Sequence, residues 1–200
     1  MHLGRRLFHA GGGSIIPIVT FVAPIHIVQI LSIAIAVLVI CMEYFRRRSH
    51  HFQSLFLIVF RRMLRPDEAA GALTGATYLM VSSAIVLNLF PFPVSSLALL
   101  FAALGDPIAG VVGSTIGRVR VPVRLFGNSR IKTLEGSAAF FITSLLVGIT
   151  FWSQGLLVSV WPVVLGAMTA TLIEGLPNRV DDNLTVPLGS AFVMWTVWSV

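Results

Sequence analysis

Asp106, Glu135 and Asp182, the last followed at once by Asn183, stand at or near the ends of apolar runs. Carboxylates in twos and threes beside an amide suit Mg2+, which takes hard oxygen ligands and keeps substrate phosphates in its shell. Arg5, His9, Arg118, Arg130 and Lys132 are placed similarly. Arg and Lys in number suit phosphate oxygens, Arg as a planar fork and Lys as a point charge. Gly110, Gly113 and Gly117 fall three or four residues apart, so on a helix they share one face. A bare face admits another backbone or a polyphosphate. These are the parts for phosphoryl or nucleotidyl transfer, where positioning and charge neutralisation do most of the catalysis. A plainer reading stands beside this one: the glycines as a helix-packing seam, and Arg5 and His9 as an ordinary basic flank with a structural histidine.

The elements that position these residues belong to a membrane. The chain has 200 residues, of which 56% are hydrophobic and only 11% charged, and its mean hydropathy is +0.91. Such a composition leaves no room for a separate soluble domain, and the expected architecture is a single all-α, polytopic membrane helix bundle over residues 1–200. About seven spans are expected: 3–22, 25–44, 71–89, 94–117, 136–151, 156–173 and 184–198. The fourth is expected to break at Gly105-Asp106-Pro107, with Asp106 as N-cap and Pro107 in the first turn of the second piece. Glu43 and Arg46, three apart, can pair on one helix face. Between the second and third spans, residues 50–64 carry apolar side chains at helical spacing and end in Arg61, Arg62 and Arg65. That segment is expected to lie in the interface plane.

With the N-terminus in the cytoplasm, the connectors at Pro24, Phe90–Pro93 and Trp152–Gly155 face outward, and none contains a charge. All 14 Lys and Arg and all 8 Asp and Glu residues then fall at or near the inner face. The positive-inside rule is obeyed throughout, and every candidate catalytic group is put on the cytoplasmic side.

Several functions are excluded. The net charge of +6 flanks apolar segments, so it speaks for orientation and anionic phosphate, not for nucleic acid. Cys41 is the single cysteine, which rules out an intrachain disulfide or a cysteine-rich metal site. No Walker A motif, protein-kinase signature, His-Glu-x-x-His run or Gly-x-Ser-x-Gly elbow is present. A solute transporter would need polar groups near the bilayer midplane, where these spans carry little beyond Thr, Ser and Gly. An enzyme that meets a soluble nucleotide on one side and a lipid from the bilayer fits better.

An ordered set of short motifs resembles one family. It comprises Arg5-Arg6-Leu7-Phe8-His9, Glu43-Tyr44-Phe45-Arg46, Leu73-Thr74-Gly75-Ala76-Thr77-Tyr78, and Gly105-Asp106-Pro107 through Gly113 with Gly117-Arg118. Lys132-Thr133-Leu134-Glu135-Gly136 and Glu174 with Asp182-Asn183-Leu184-Thr185 complete it. The set resembles the membrane-embedded CTP-dependent lipid alcohol kinases, which act on dolichol and other polyprenols, phytol, farnesol or diacylglycerol. The resemblance implies transfer of the CTP γ-phosphate to a long-chain alcohol, with Mg2+. It places Asp106, Glu135 and Asp182 around the metal with Asn183 beside them, and Arg118, Arg130 and Lys132 on the triphosphate. Arg5 and His9 touch phosphate or base, Gly110, Gly113 and Gly117 allow close approach, and Asp106 or Asp182 takes the alcohol proton. The alternative is a phosphatidate cytidylyltransferase. The Gly-His-Gly run of that group is absent here, and Asp181-Asp182-Asn183 stands in its place.

Overall fold

The computed structural model describes residues 3–61, 63–122, 131–176 and 180–198. Among these the chain is helical apart from one short hairpin. The elements are α1 (Leu3–Val19), α2 (Ile25–Arg48), α3 (His50–Phe60), α4 (Pro66–Ala69), α5 (Gly75–Leu89), α6 (Val94–Thr115), β1 (Arg120–Pro122), β2 (Ile131–Thr133), α7 (Leu134–Ser153), α8 (Trp161–Gly175) and α9 (Asp182–Thr196).

The bundle is built around α6. Its first half is apolar apart from the small Ser95 and Ser96, which suits a helix surrounded by others, and Leu97, Leu99, Phe101 and Ala103 have no exposed surface. Helices α1, α5, α7, α8 and α9 all pack on it. Small residues let the backbones approach: a Cβ added at Gly105 would lie 2.7 Å from the Phe140 ring on α7.

That contact accounts for a correction. The expected break at Gly105-Asp106-Pro107 does not occur, and α6 runs unbroken through Pro107. Pro107 removes one backbone donor, but neighbours on several sides hold the helix straight enough to continue, as they do for proline in membrane helices. Gly105 serves close packing and is not a hinge. Asp106 is therefore a mid-helix residue and not an N-cap, about 18 Å along the axis from Val94 at 1.5 Å per residue.

Among the described residues three helices, α2, α6 and α7, with 24, 22 and 20 residues, are long and apolar enough to cross a membrane. The expected spans at α5, α8 and α9 are each 15 residues long. At 1.5 Å per residue they reach about 22 Å, short of a hydrocarbon core of about 30 Å. The segment expected to lie in the interface plane forms α3, which buries none of its residues and packs on α2.

The two ends of the bundle differ in chemistry. At one, aromatic rings in or beside the three charge-free connectors meet. Phe21 stands edge-on to Phe92 at 5.2 Å and to Phe151 at 5.3 Å. At the other end the ionic groups gather, and α5, α7 and α9 begin there with side-chain caps from Thr74, Thr133 and Asp181.

The expected Glu43–Arg46 pair forms at 2.6 Å and is buried. The Arg46 guanidinium also donates to the carbonyls of Glu68 (3.0 Å) and Ala72 (2.6 Å). Glu43 accepts from Thr74 N–H and from the Thr77 hydroxyl, each at 3.1 Å. This pair fastens the turn before α5 to α2. Arg46→Ala would leave Glu43 buried without its cation, a loss of about 3–5 kcal/mol. Arg47, which is exposed, serves as control: Arg47→Ala should change little. Denaturation midpoints in detergent micelles check this, and equal midpoints for the two variants would refute it.

Candidate active site

Lys132 is the residue on which the ionic end closes. It lies on β2, opposite Val121 of β1 in the antiparallel hairpin. Its ammonium donates to Glu174 at the end of α8, and to Asp182 in the first turn of α9 at 3.2 Å. Burial works against the charged ammonium, but Asp182 and Glu174 outweigh it and hold its pKa above the ordinary lysine value. Its ionic contribution is therefore present throughout neutral pH and is lost only as pH rises through that raised value.

Beside this triad lies a polar cavity of about 380 Å3. Its charged lining is Asp106 from α6, Glu174, Asp182, Lys132 and Arg6 from α1. Gly110, Gly113 and Gly136 form a bare wall. The wall is close-packed: a Cβ on Gly113 would lie 2.6 Å from Thr133 Oγ1, and one on Gly110 would lie 3.1 Å from the Arg6 guanidinium, which would have to shift. Arg6 donates to Ser114 Oγ at 3.2 Å across the same wall. Among the described residues no hydrogen bond engages the Asp106 carboxylate, whereas Asp182 is tied to Lys132.

The residues expected from the sequence therefore divide. Asp106, Lys132, Asp182, Gly110 and Gly113 come together around this cavity. Glu135 does not join them. Its carboxylate accepts from the backbone N–H groups of Arg118 (2.9 Å) and Val119 (3.1 Å), which fastens the end of α6 to the start of α7. The Arg118 side chain is exposed and outside the lining. Gly117 packs against Thr133. Asn183 turns the other way and donates to the Gly75 carbonyl at 3.3 Å. His9 lines a second, apolar cavity beside Asn183. Arg130 and the Arg5 side chain lie outside the described residues.

The expected metal set of Asp106, Glu135, Asp182 and Asn183 is thus not assembled. Among the described residues no three His, Cys, Asp or Glu side chains converge as a metal group. What the cavity holds is three carboxylates, Asp106, Glu174 and Asp182, against two cations, Arg6 and Lys132. A polyphosphate entering it meets a net negative field unless a divalent cation accompanies it. Mg2+ fits that donor chemistry, since it commonly binds through one or two carboxylates and completes its shell with phosphate oxygens and water.

Arg6 and Glu174 belong to the short motifs quoted from the sequence, but the sequence assigns neither a role in the site. Arg6 is hidden beside Arg5 in the sequence, and the structure places it in the cavity lining. Glu174 closes an apolar run and reads as a polar connector until Lys132 is seen against it.

No protein-family model matches the chain, and no solved structure matches it. Several curated proteins do. The chain is 28% identical over 170 residues to a probable chloroplastic phytol kinase 2 of Glycine max, covering 78% of this chain and 56% of that protein. It is 36% identical over 104 residues to a phytol kinase of Synechocystis sp., covering 50% of this chain and 43% of that one. An uncharacterized protein of Rickettsia prowazekii is 24% identical over 189 residues, covering 92% of this chain and 88% of that protein. The chain thus spans about half the length of the two phytol kinases, to which it is similar in sequence.

Proposed function

We propose that the protein is a multi-pass lipid alcohol kinase that moves the γ-phosphate of CTP to the hydroxyl of a long-chain alcohol, with phytol or a related prenol as acceptor. The observation that carries this reading is the polar cavity, where Asp106, Lys132 and Asp182 meet on a glycine wall. The similarity to phytol kinases supplies the acceptor class, and the motif resemblance supplies CTP. The gathering of charged groups at one end and of charge-free connectors at the other supports a cytoplasmic site under the positive-inside rule.

In this reading the triphosphate lies along Gly110 and Gly113, with Arg6 and Lys132 on its oxygens. The N-termini of α7 and α9 open toward it and favour negative charge. Asp106 and Asp182 would hold Mg2+, which supplies neutralisation of the phosphate charge. Asp106, which no hydrogen bond from a described residue engages, would also accept the alcohol proton. The alcohol oxygen bonds to the γ-phosphorus, the bond from that phosphorus to the β–γ bridging oxygen breaks, and the nucleoside diphosphate leaves. Lys132 holds Asp182 in place before the nucleotide arrives.

Purified protein given γ-labelled CTP and a panel of phytol, farnesol, polyprenol, diacylglycerol and phosphatidate should yield CDP and a labelled lipid monophosphate. Release of pyrophosphate with a CMP-lipid would instead assign cytidylyl transfer. Asp106→Asn should lower kcat by about 10²- to 10⁴-fold, the usual worth of a general base, with an unchanged unfolding midpoint. Near-normal turnover would remove Asp106 from the mechanism. Lys132→Met should lose activity and also lower stability, because Glu174 and Asp182 are left without their cation. An unaltered unfolding midpoint for Lys132→Met would contradict the role given to the triad.

A further inference from the structure

A second cavity, of about 300 Å3, lies among α1, α2, α3 and α5. Its walls are hydrocarbon: Val39 and Met42 of α2, Phe56 and Phe60 of α3, and Leu79 and Met80 of α5. Its charged side chains are tied to partners within the protein. Arg46 is held by Glu43, Arg65 by Asp181 at 2.6 Å, and Glu68 accepts from the N–H groups of Arg65 (2.6 Å) and Gly75 (2.7 Å). Such a chamber suits an apolar chain and is a poor host for a charged ligand.

The two cavities share supports. The first turn of α9 divides between them: Asn183 lines the apolar chamber and Asp182 lines the polar one, while Asp181 between the network and the helix pairs with Arg65. On α1, Arg6 lines the polar cavity and His9, one turn on, lines the apolar one.

We propose that the chamber bounded by α1, α2, α3 and α5 binds the hydrocarbon chain of the alcohol, with the hydroxyl end at the first turn of α9 beside Asp182. The chain then enters from the α2–α3 side, and the width between Phe56, Met80 and Gly12 selects its thickness and branching. This proposal rests on the kinase reading for the identity of the ligand, but its site can be tested apart from turnover.

Gly12 gives the handle. It lines the chamber, and a Cβ there would meet no atom within 4 Å. A Cβ there clears the protein, so a longer side chain starts out in open space at the chamber wall, and replacing glycine inside a helix favours folding. A phytol analogue with a diazirine at its hydrocarbon end is photolysed with the full-length protein in detergent, and the labelled peptides are mapped by mass spectrometry. Label is expected on α2 and α5 near Val39, Met42 and Met80. Gly12→Leu should cut that label and raise the KM for phytol by about 10-fold or more, the order expected when a hydrophobic pocket rejects a group by fit. Gly12→Ala should fall between the two, and the KM for the nucleotide should stay constant. Should Gly12→Leu fail to fold, Met80→Phe fills the opposite wall and carries the same expectation. Label elsewhere, or label unchanged in a folded filling variant, overturns the proposal. If the chamber is labelled but no nucleotide phosphorylates any alcohol, the lipid site stands and the kinase reading falls. Turnover of phytol with label confined to other helices gives the reverse.

Discussion

The ammonium of Lys132 joins three parts of the chain that are remote in sequence: the hairpin after α6, the end of α8 and the first turn of α9. Its two carboxylate partners are both largely buried. Removing a charge from such a setting strands the others in a medium of low dielectric, where an unpaired ion is very unfavourable. The arrangement is therefore all or none: the hairpin, α8 and α9 sit in register together or the polar cavity does not form. The position of Asp106 follows separately, from the burial of α6 among its neighbours. A rigid apolar helix presents one carboxylate, and an ionic clasp brings the cations and the remaining carboxylates to it.

A second ionic cluster does comparable work on the other side of α9. Glu43 and Arg46 hold the turn before α5, and Glu68 with Arg65 extends the same network to Asp181. Asp181, Asp182 and Asn183 therefore share out their bonds among two networks and the α5 backbone. The consequence for function is adjacency. A polar cavity of mixed charge and a chamber with largely hydrocarbon walls are built against the same helical turn. A reaction between a soluble polyanion and a lipid hydroxyl needs that adjacency, because each reactant is soluble where the other is not.

Much of this was legible in the sequence, and the physical reasons differ from residue to residue. The membrane composition and the all-helical class follow from apolar content alone. The Glu43–Arg46 pair follows from i,i+3 spacing, which fixes neighbours within one helix. The convergence of Asp106, Lys132 and Asp182 is a tertiary fact, and no local spacing contains it; ordered motifs pointed to it. Local reasoning failed at Gly105-Asp106-Pro107, because a Gly-Asp-Pro run breaks an isolated helix while packing on Phe140 and the neighbouring helices keeps this one whole. It failed again at Glu135. A carboxylate in the first helical turn has backbone N–H groups within reach, and here those of Arg118 and Val119 take it. Arg6 and Glu174 were obscured because a charge next to another charge, or at the end of an apolar run, reads as a flank.

The central claim is that the cavity at Lys132 receives a polyphosphate together with a divalent cation, held by Asp106 and Asp182. The most direct measurement is binding of Mn2+, as a paramagnetic substitute for Mg2+, followed by electron paramagnetic resonance with and without a non-hydrolysable CTP analogue. Two carboxylates are a weak cage on their own, so the account predicts weak Mn2+ binding alone, tight binding with the nucleotide, and loss of that gain in Asp106→Asn. Nucleotide binding that ignores the metal, or a gain that survives in Asp106→Asn, would contradict it.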